Sequence, residues 1–298
     1  MSHTEQALPR RAGQQGLWVL VAVVMSLALL ASCGDDDKDP TPNPTPDAGQ
    51  QDDAGTPDSG TPDSGTPDSG TPDAGPQVCG PTTVNCAEQT IDTLSLRTVV
   101  NTGVVREEGT TSGEFLTFVD STAGGLNPTM SYTYLRFTAT GAEQVQIHDH
   151  QALVSQDWDI AVRRYTMRVN SGTSGPSCVS VAKVAEGTTF AQVAAVDSSW
   201  TFETEKWWDD SSGTCTLIPD DSGLNGPKTA LGAFWEYPVR CVQMTGQVFA
   251  VRLADGRHVK LEVMGYYEPA AQQTCNETGA APTPSGSGSI RIKWAFLP

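Results

Sequence analysis

The sequence lacks the short motifs that mark common catalytic and metal-binding sites. It contains no Gly-x-Ser-x-Gly, His-Glu-x-x-His, Cys-x-x-Cys or Asp-x-Asp-x-Asp-Gly segment. These spacings place a nucleophile on a tight turn, two zinc ligands on one helix face, a paired thiolate site or a cage of calcium ligands. Their absence argues against the enzymes and metal proteins that depend on them. We therefore expect a protein that is not an enzyme.

Histidine and basic residues are also scarce. There are four His, none of them between 151 and 257, and 18 Lys and Arg stand against 35 Asp and Glu, for a net charge of −17. Eleven aspartates and one lysine give −10 to 34–78, and residues 1–33 carry +1, so 79–298 carries −8. An acidic domain beside an acidic segment argues against nucleic acid or anionic lipid as a partner.

Residues 1–33 have the features of an export signal. Arg10 and Arg11 precede the apolar run LWVLVAVVMSLALLASC, which ends at Cys33. A basic start, a short apolar stretch and small residues before a cysteine are typical of a secretory signal, and LASC fits a bacterial lipobox. The alternative is a transmembrane anchor, but the run is shorter than the roughly 20 residues that a spanning helix needs. We predict a signal peptide over 1–33 and lipidation of Cys33.

Residues 34–78 form a low-complexity spacer. A five-residue repeat of Thr-Pro-Asp-Ser/Ala-Gly dominates it, without an aromatic residue. Such a segment buries too little apolar surface to fold, and its regularly spaced aspartates repel one another, so it is predicted to be disordered and extended. A Ca²⁺-binding repeat is the alternative. Single carboxylates five residues apart make a poor cage for an ion that takes six to eight oxygens.

The cysteines predict disulfides. Without Cys33, an even six remain in the folded part, and in an exported protein they are expected to form three bonds of unknown connectivity. A metal site is the alternative, which the spacing disfavours. Cys79 and Cys86 flank a short loop and are expected to pair locally. The six candidates are Cys79, Cys86, Cys178, Cys215, Cys241 and Cys275.

Strand patterns dominate 79–298 and predict one all-β, mostly antiparallel domain. Aromatic and β-branched residues recur with period two, and ADGR at 254–257 is a strong hairpin signal. No window has a convincing capped helical repeat, although 190–197 could form one short helix or another strand. The predicted strands are 131–139, 142–150, 157–169, 178–184, 247–255, 258–267 and 289–296.

The segment 157–169, DWDIAVRRYTMRV, is apolar on both sides of a strand. This pattern predicts either a central strand covered on both faces or a strand that changes faces at a bulge near Arg163 and Arg164. Asp157 and Asp159 are expected to supply counter-charges for these arginines. The irregular region 200–240, which is rich in tryptophan, is the expected place for binding, since long irregular segments on a β-scaffold often carry function.

Four segments in order are YTYLRFTATGAEQV, DWDIAVRRYTMRVNSGTSG, VFAVRLADGRHVKLEVMGYY and GSIRIKWAFLP. They resemble the HmuY-type haem-binding lipoproteins over 119–298 and leave 79–116 outside the match. The most specific parts are Trp-Asp-Ile-Ala with Arg164-Tyr165, the Asn-Ser-Gly-Thr-Ser-Gly turn, and the hairpin followed by Lys260 and Tyr266-Tyr267. The resemblance implies a β-domain that is anchored by lipid to the outer membrane, on its surface or periplasmic face, and that passes haem to an uptake receptor.

The founding member of the family binds haem through two histidines in loops where this sequence has none. The nearest counterparts fall near 207–210 and 235–237. Tyr237 and Met244 are therefore the candidate axial ligands, and Arg240, three residues after Tyr237, would favour its phenolate form. The candidate pocket residues are Trp207, Trp208, Trp235 and Arg240.

The remaining histidines are weaker candidates. His148 and His150 would point to one face of a strand and could chelate Zn²⁺ or Cu²⁺, but no third ligand is evident. His258 follows the Asp-Gly turn and is a further haem-ligand candidate, although a surface strand position explains it as well. The pairs Asp209-Asp210 and Asp220-Asp221 each precede Ser and Gly, which is typical of turns.

Two functions follow as hypotheses. The first is a lipid-anchored outer-membrane protein that binds haem or a related flat apolar ligand for uptake. The alternative is a lipoprotein that keeps the HmuY-like fold without the haem ligands, as a non-haem binding or scaffold protein. Metal capture by His148 and His150 is a third hypothesis.

Overall fold

The computed structural model describes residues 79–224 and 226–298. The predicted signal peptide and spacer, 1–33 and 34–78, lie outside this part of the chain, as does Cys33. Within the described part, the larger sheet has six strands in the order β1-β2-β14-β13-β12-β7. These are β1 (Val105–Thr111), β2 (Glu114–Asp120), β7 (Ser180–Lys183), β12 (Val248–Arg252), β13 (His258–Gly265) and β14 (Ser289–Leu297).

A smaller sheet has the order β4-β3-β5-β6, and two further strand pairs lie in the region 200–245. The sheet contains β3 (Thr133–Thr138), β4 (Gly141–Val145), β5 (Ile160–Arg163) and β6 (Thr166–Val169). The pairs are β8 (Trp208–Asp209) with β9 (Thr216–Leu217), and β10 (Trp235–Glu236) with β11 (Gln243–Met244). Every strand pairing in the described residues is antiparallel, which confirms the predicted fold class.

The main core lies between the two sheets. Along β14, Ile290, Ile292 and Trp294 are buried while the residues between them are partly exposed, as the period of a strand requires. The Trp294 ring stacks on Phe115 of β2 with centroids 4.3 Å apart, and it lies 4.7 Å from Phe137 of β3. Its Nε1 donates to Thr117 Oγ1 at 2.8 Å, so its polar atom is satisfied. Trp294 therefore joins the two sheets.

A second core covers the other face of the smaller sheet. It contains Tyr132, Tyr134, Trp158 and Ala161, and Ile91 of α1 (Ala87–Thr93) packs against it. The neighbours Ile160 and Val162 face the main core instead. The segment 157–169 is therefore covered on both faces, because alternate residues of β5 enter different cores.

The same segment is a hairpin and not one strand. β5 pairs with β6 from Ile160↔Val169 to Arg163↔Thr166, and the chain reverses at Arg164, whose φ is 53°. The turn has no Gly or Asn, the residues that normally accept positive φ, and this is why the sequence pattern predicted a continuous strand. The expected counter-charges were also wrong. Asp159 accepts a hydrogen bond from the Phe137 N–H at 2.8 Å, and Arg163 faces Asp149.

Helices were missed by the prediction. α3 (Pro269–Thr278) begins with Pro at its first turn and ends before Gly279 in the left-handed conformation, so both of its end signals were present. Only Ala271, Gln272 and Cys275 of it are buried, too few to form a clear apolar repeat.

The predicted strand 142–150 ends at Val145 and is followed by α2 (Asp149–Ala152). The segment 190–197 contains only a three-residue 3-10 turn.

The sequence also missed α1, β1 and β2, which lie mostly in the segment before the predicted family match. The β1–β2 hairpin adds two strands to the edge of the larger sheet. None of the helices in residues 79–224 and 226–298 is long and apolar enough to cross a membrane.

The six cysteines form three disulfides, as predicted, but with a different local pairing. The bonds are Cys79–Cys178, Cys86–Cys215 and Cys241–Cys275. Cys79 does not pair with Cys86 because the chain between them runs past the loop before Cys178, where Thr82 N–H donates to Pro176 O at 2.8 Å. Cys86 lies farther along the chain, directly before the first residue of α1. Two bonds thus fasten the segment before β1 to the rest of the domain.

Asp149 is the most heavily used buried carboxylate. Its Oδ1 accepts from the Tyr132 N–H at 2.9 Å and from the Tyr134 hydroxyl at 2.7 Å, and its Oδ2 accepts from the Arg97 N–H at 2.7 Å. Arg163 Nη1 lies 3.8 Å from Oδ2. Burial raises the pKa of Tyr134 well above its usual range, so this phenol stays protonated and donates to Asp149.

A second buried carboxylate, Glu205, fastens the long irregular loop to the smaller sheet. Its two oxygens accept from the N–H groups of Val169 and Ala230. Burial raises the pKa of Glu205 to about 7, against 4.5 for an ordinary glutamate, and the two N–H groups offset part of that rise.

Replacing Asp149 by Asn should destabilise the oxidised protein by about 3 kcal/mol, because an amide cannot accept from all these donors and leaves Arg163 without a counter-charge. Urea unfolding with the disulfides intact measures the change. The control is Asp92→Asn, at an exposed position in α1, which we expect to alter stability by less than about 0.5 kcal/mol. A similar loss in both variants would contradict the role given to Asp149.

Peptide mapping without reduction should recover three cross-linked pairs that join Cys79 to Cys178, Cys86 to Cys215 and Cys241 to Cys275. Mass spectrometry of the digest reads the pairs directly. A peptide that links Cys79 to Cys86 would contradict the structure.

Glu205→Gln should change how stability depends on pH. A carboxyl whose pKa is raised by folding binds its proton more tightly in the folded state, so its contribution to the free energy of unfolding is greatest below pH 4.5 and is lost as the pH rises through 7. Between pH 5 and 8 the natural protein should lose about 2.5 kcal/mol relative to Glu205→Gln. Urea unfolding at several pH values tests this, with the exposed Glu186→Gln as control. Parallel pH profiles for the natural protein and Glu205→Gln would refute it.

Candidate functional site

A cleft of about 380 Å³ lies against the β5–β6 turn and the loop 220–238. Tyr165, Trp235 and Tyr237 provide its aromatic surface. The Tyr165 and Trp235 rings are 4.9 Å apart and inclined at 51°, and Tyr165 lies 6.2 Å from Tyr266 behind it. The aromatic surface thus continues from the cleft into the core.

The local sequence explains why Trp235 and Tyr237 reach the cleft. Leu231 and Phe234 are buried in the main core, and Phe234 is the last residue of a single 3-10 turn, Gly232–Phe234. The next residue, Trp235, begins β10 opposite Met244 of β11. Tyr237 follows two residues later and is 37% exposed. Core burial on one side and strand pairing on the other therefore hold this edge of the cleft.

Charged residues of both signs surround the aromatic surface. Lys183 and Lys228 line the cleft together with Asp220, Asp221 and Glu236. The Asp220 carboxylate is used by a turn, since it accepts from the Ser222 N–H at 3.0 Å and hydroxyl at 2.7 Å. No ion pair of the described residues involves either lysine. The lysines are therefore available to an anionic group of a ligand.

Of the haem-ligand and haem-pocket candidates from the sequence, Trp235 and Tyr237 line the cleft and the others do not. Met244 lies across β10–β11 from Trp235 and packs partly against the main core, and its N–H donates to Asn276 Oδ1 at 3.2 Å. Arg240 is exposed and forms no side-chain hydrogen bond with the described residues, Tyr237 included. The expected pairing of Tyr237 with Arg240 is therefore not seen.

The prediction that Trp207 and Trp208 form the pocket differs from their observed place. Both are buried in the second core, and their Nε1 atoms point to Thr90 Oγ1 of α1, at 3.5 and 2.9 Å. They belong to the packing of α1 on the smaller sheet. The sequence could not indicate this, because α1 itself was not predicted.

His258 also lies away from the cleft. It begins β13, opposite Leu297 on one side and Arg252 on the other, with its ring 5.3 Å from Phe202. Burial lowers its pKa below the usual value, and nearby Arg252 adds to this shift. Its place in the sheet explains the position of His258 without a role as a haem ligand.

His148 and His150 are not on a strand, as was expected. His148 caps α2, where its Nδ1 accepts from the Gln151 N–H at 3.2 Å, and the two imidazole centroids are 6.3 Å apart. Among residues 79–224 and 226–298 there is no group of three His, Cys, Asp or Glu that could hold a metal ion. Metal binding by this pair stays a prediction.

Among the side chains that line the cleft, the tyrosine phenols are the ones that could serve as axial ligands of haem iron. Its lining contains no His, Met or Cys among the described residues, but it contains the phenols of Tyr165 and Tyr237. A phenolate is a known axial ligand of haem iron. Tyr165, Lys183 and Lys228 were not identified from the sequence, since the hairpin turn that places Tyr165 there was interpreted as part of a strand.

Comparison with known proteins places the chain in a family. The model of the HmuY protein family matches residues 128–278, which is narrower than the expected 119–298 but includes every residue that lines the cleft. Among curated proteins the sequence has no match.

Several solved structures are similar at low identity. One is a provisionally assigned HmuY-like haem-binding protein from Bacteroides vulgatus, with 15% identity, a TM-score of 0.40, and coverage of 64% of this chain and 96% of that one. Another is a provisionally assigned lipoprotein from Bacteroides fragilis, with 13% identity, a TM-score of 0.39, and coverage of 63% and 92%. A third is an apo HmuY analogue from Tannerella forsythia, with 13% identity, a TM-score of 0.33, and coverage of 67% and 98%. With a family match over half of its length, the chain belongs to the HmuY family.

Proposed function

We propose that this protein binds a planar aromatic ligand with acidic groups, with haem as the first candidate, in the cleft at Trp235 and Tyr237. The observation that carries the proposal is that three aromatic rings and two lysines, which form no ion pair with the described residues, line one cleft within the family match. Ligand sites combine an apolar wall with a few polar groups that fix orientation. Aromatic rings suit a flat partner because they stack on its faces.

Tyr237 is the residue proposed to approach the haem iron. It is partly exposed, so its hydroxyl is accessible to a ligand without rearrangement of the core. Bound haem would supply an iron that accepts a phenolate oxygen. Lys183 and Lys228 would attract the acidic groups of the ligand. Tyr165 is a second phenol at the cleft, but its ring is already packed between Trp235 and Tyr266.

The proposed setting is a bacterial outer membrane. Lipidation of Cys33 and an extended spacer over 34–78 would hold the domain away from the lipid surface, where it could exchange ligand with an uptake receptor. The lipobox, the repeat and the family support this proposal. In this role the protein is a binding protein without catalysis.

A second candidate function is binding of a non-haem ligand, or a scaffold role, on the same fold. The observation that favours it is the donor set, because no His, Met or Cys of the described residues lines the cleft. A planar acidic ligand without iron would use the same rings and lysines and would need no axial ligand.

Haemin titration of the oxidised protein tests the proposal. We expect a stoichiometric complex with a shifted Soret band, and Tyr237→Phe should weaken binding by about tenfold, equivalent to about 1.4 kcal/mol, and remove the spectral signature of phenolate ligation. Tyr165→Phe is the companion variant that tells which phenol reaches the iron. Met244→Leu and His258→Gln serve as matched controls, because neither residue lines the cleft.

The outcomes separate the two functions. No Soret change in the natural protein, whether oxidised or reduced, would rule out haem and leave the non-haem function. Loss of binding in Met244→Leu or His258→Gln, with Tyr237→Phe unaffected, would place the ligand elsewhere on the domain.

A further inference from the structure

Two neighbouring donors beside the cleft are buried without an acceptor. They are Arg164 Nε and the Tyr266 hydroxyl, and neither has a hydrogen-bond partner among residues 79–224 and 226–298. Burial raises the pKa of Tyr266 to about 12, and the nearby Ser287 hydroxyl offsets a small part of that rise, although the two hydroxyls do not meet hydrogen-bond geometry. Buried donors in folded proteins nearly always find a partner, so two orphans in one place point to a missing acceptor.

The position of Arg164 is firmly held. It occupies the β5–β6 turn with φ of 53°, a conformation that non-glycine residues seldom adopt and that functional sites often retain. Its N–H donates to Ser121 O at 2.8 Å, and its carbonyl accepts from the Ser121 hydroxyl at 3.3 Å. The hydrogen bonds with Ser121 therefore fix the backbone at Arg164, and with it the point from which the side chain extends.

The Arg164 guanidinium has no counter-charge. Arg163 next to it faces Asp149, and Arg291 pairs with Glu108 and Glu268. No carboxylate of the described residues lies within 4.0 Å of Arg164. A half-buried arginine without an anion is unfavourable, since the charge loses part of its hydration and the Tyr165 and Tyr266 rings, at 6.0 and 5.9 Å, offset only part of that loss.

Arg164 adjoins the aromatic surface of the cleft. Its Cζ lies 6.0 Å from the Tyr165 ring centroid and 5.9 Å from that of Tyr266. Tyr165 lines the cleft directly, and Tyr266 stands behind it. An acidic group that extends from a ring stacked on this surface could therefore approach the guanidinium.

We propose that Arg164 and the Tyr266 hydroxyl form an anion subsite that takes a carboxylate group of the ligand held in the cleft. This inference rests on the proposed function, whose site it extends. The guanidinium presents parallel N–H groups that match a carboxylate in a two-point contact, and a phenol can donate to the same anion. The subsite selects ligands that carry an acidic side arm over neutral analogues of the same shape.

Metal-free protoporphyrin IX and its dimethyl ester test the subsite without any contribution from iron. Fluorescence titration of the full oxidised protein should show that Arg164→Gln weakens protoporphyrin binding by about tenfold and leaves the affinity for the ester unchanged. Tyr266→Phe should show a smaller loss with the same selectivity. Arg164→Lys keeps the charge but not the two parallel N–H groups, so its affinity for protoporphyrin should fall between those of the natural protein and Arg164→Gln.

The control is Arg240→Gln, because Arg240 is exposed and forms no side-chain hydrogen bond with the described residues. It should bind both porphyrins as the natural protein does. Equal effects of Arg164→Gln on the acid and the ester would overturn the subsite, since a merely structural role would weaken both.

A second measurement separates the subsite from the proposed function. NMR of the ¹⁵N-labelled natural protein follows the arginine Nε–H signals during titration with propionate, and the spectrum of Arg164→Lys identifies the Arg164 signal. If the protein binds no porphyrin, the proposed function fails, but a saturable shift of this signal alone still supports an anion site. The inference is overturned if the Arg164 signal does not respond to propionate and the protein does not discriminate between the acid and the ester. In that case a buried water, and not a ligand anion, satisfies the two donors.

Discussion

A buried carboxylate, Asp149, holds together parts of the chain that lie far apart in sequence. Through it the Arg97 backbone, residues 132–134 at the start of β3, and the Arg163 end of β5 meet at α2. Arg168 extends the network because it donates to the Tyr134 hydroxyl and to Ser174. Buried charges are costly unless they are paired or hydrogen-bonded, so these contacts allow only a narrow range of geometries, although Arg168 Nε itself has no hydrogen-bond partner among the described residues. The smaller sheet depends on that geometry.

The candidate site is a consequence of the same constraint. With Arg163 and Arg168 held on either side of the β5–β6 turn, Arg164 and Tyr165 are presented at its tip. Glu205 then fixes the facing loop by accepting from the N–H groups of Val169 and Ala230. Two buried carboxylates thus bring a turn and an irregular loop together, and the aromatic cleft lies where they meet. Pre-organisation of this kind lowers the entropy that a ligand must overcome on binding.

Strands with one clear period were predictable and the rest were not. β14 alternates buried and partly exposed residues along its length, so its pattern identified it, and the Asp-Gly turn identified the β12–β13 hairpin. The β5–β6 reversal was hidden because its turn has no Gly or Asn and both of its strands are covered on two faces. α3 carried its end signals but too little apolar surface to show a helical repeat. In the candidate site, Trp235 and Tyr237 were found from sequence, whereas Trp207 and Trp208 belong to the packing of α1.

By itself the sequence determined the fold class, the family resemblance and the presence of three disulfides, because period two, turn chemistry and an even number of cysteines are local or compositional properties. Only the tertiary structure decided which cysteines pair, which aromatic residues line a cleft, and which arginines face a carboxylate. Those outcomes depend on contacts between segments separated by tens of residues, such as Cys86 with Cys215 or Arg163 with Asp149. Local patterns do not encode such distances, since burial and pairing arise only after the two sheets have packed together.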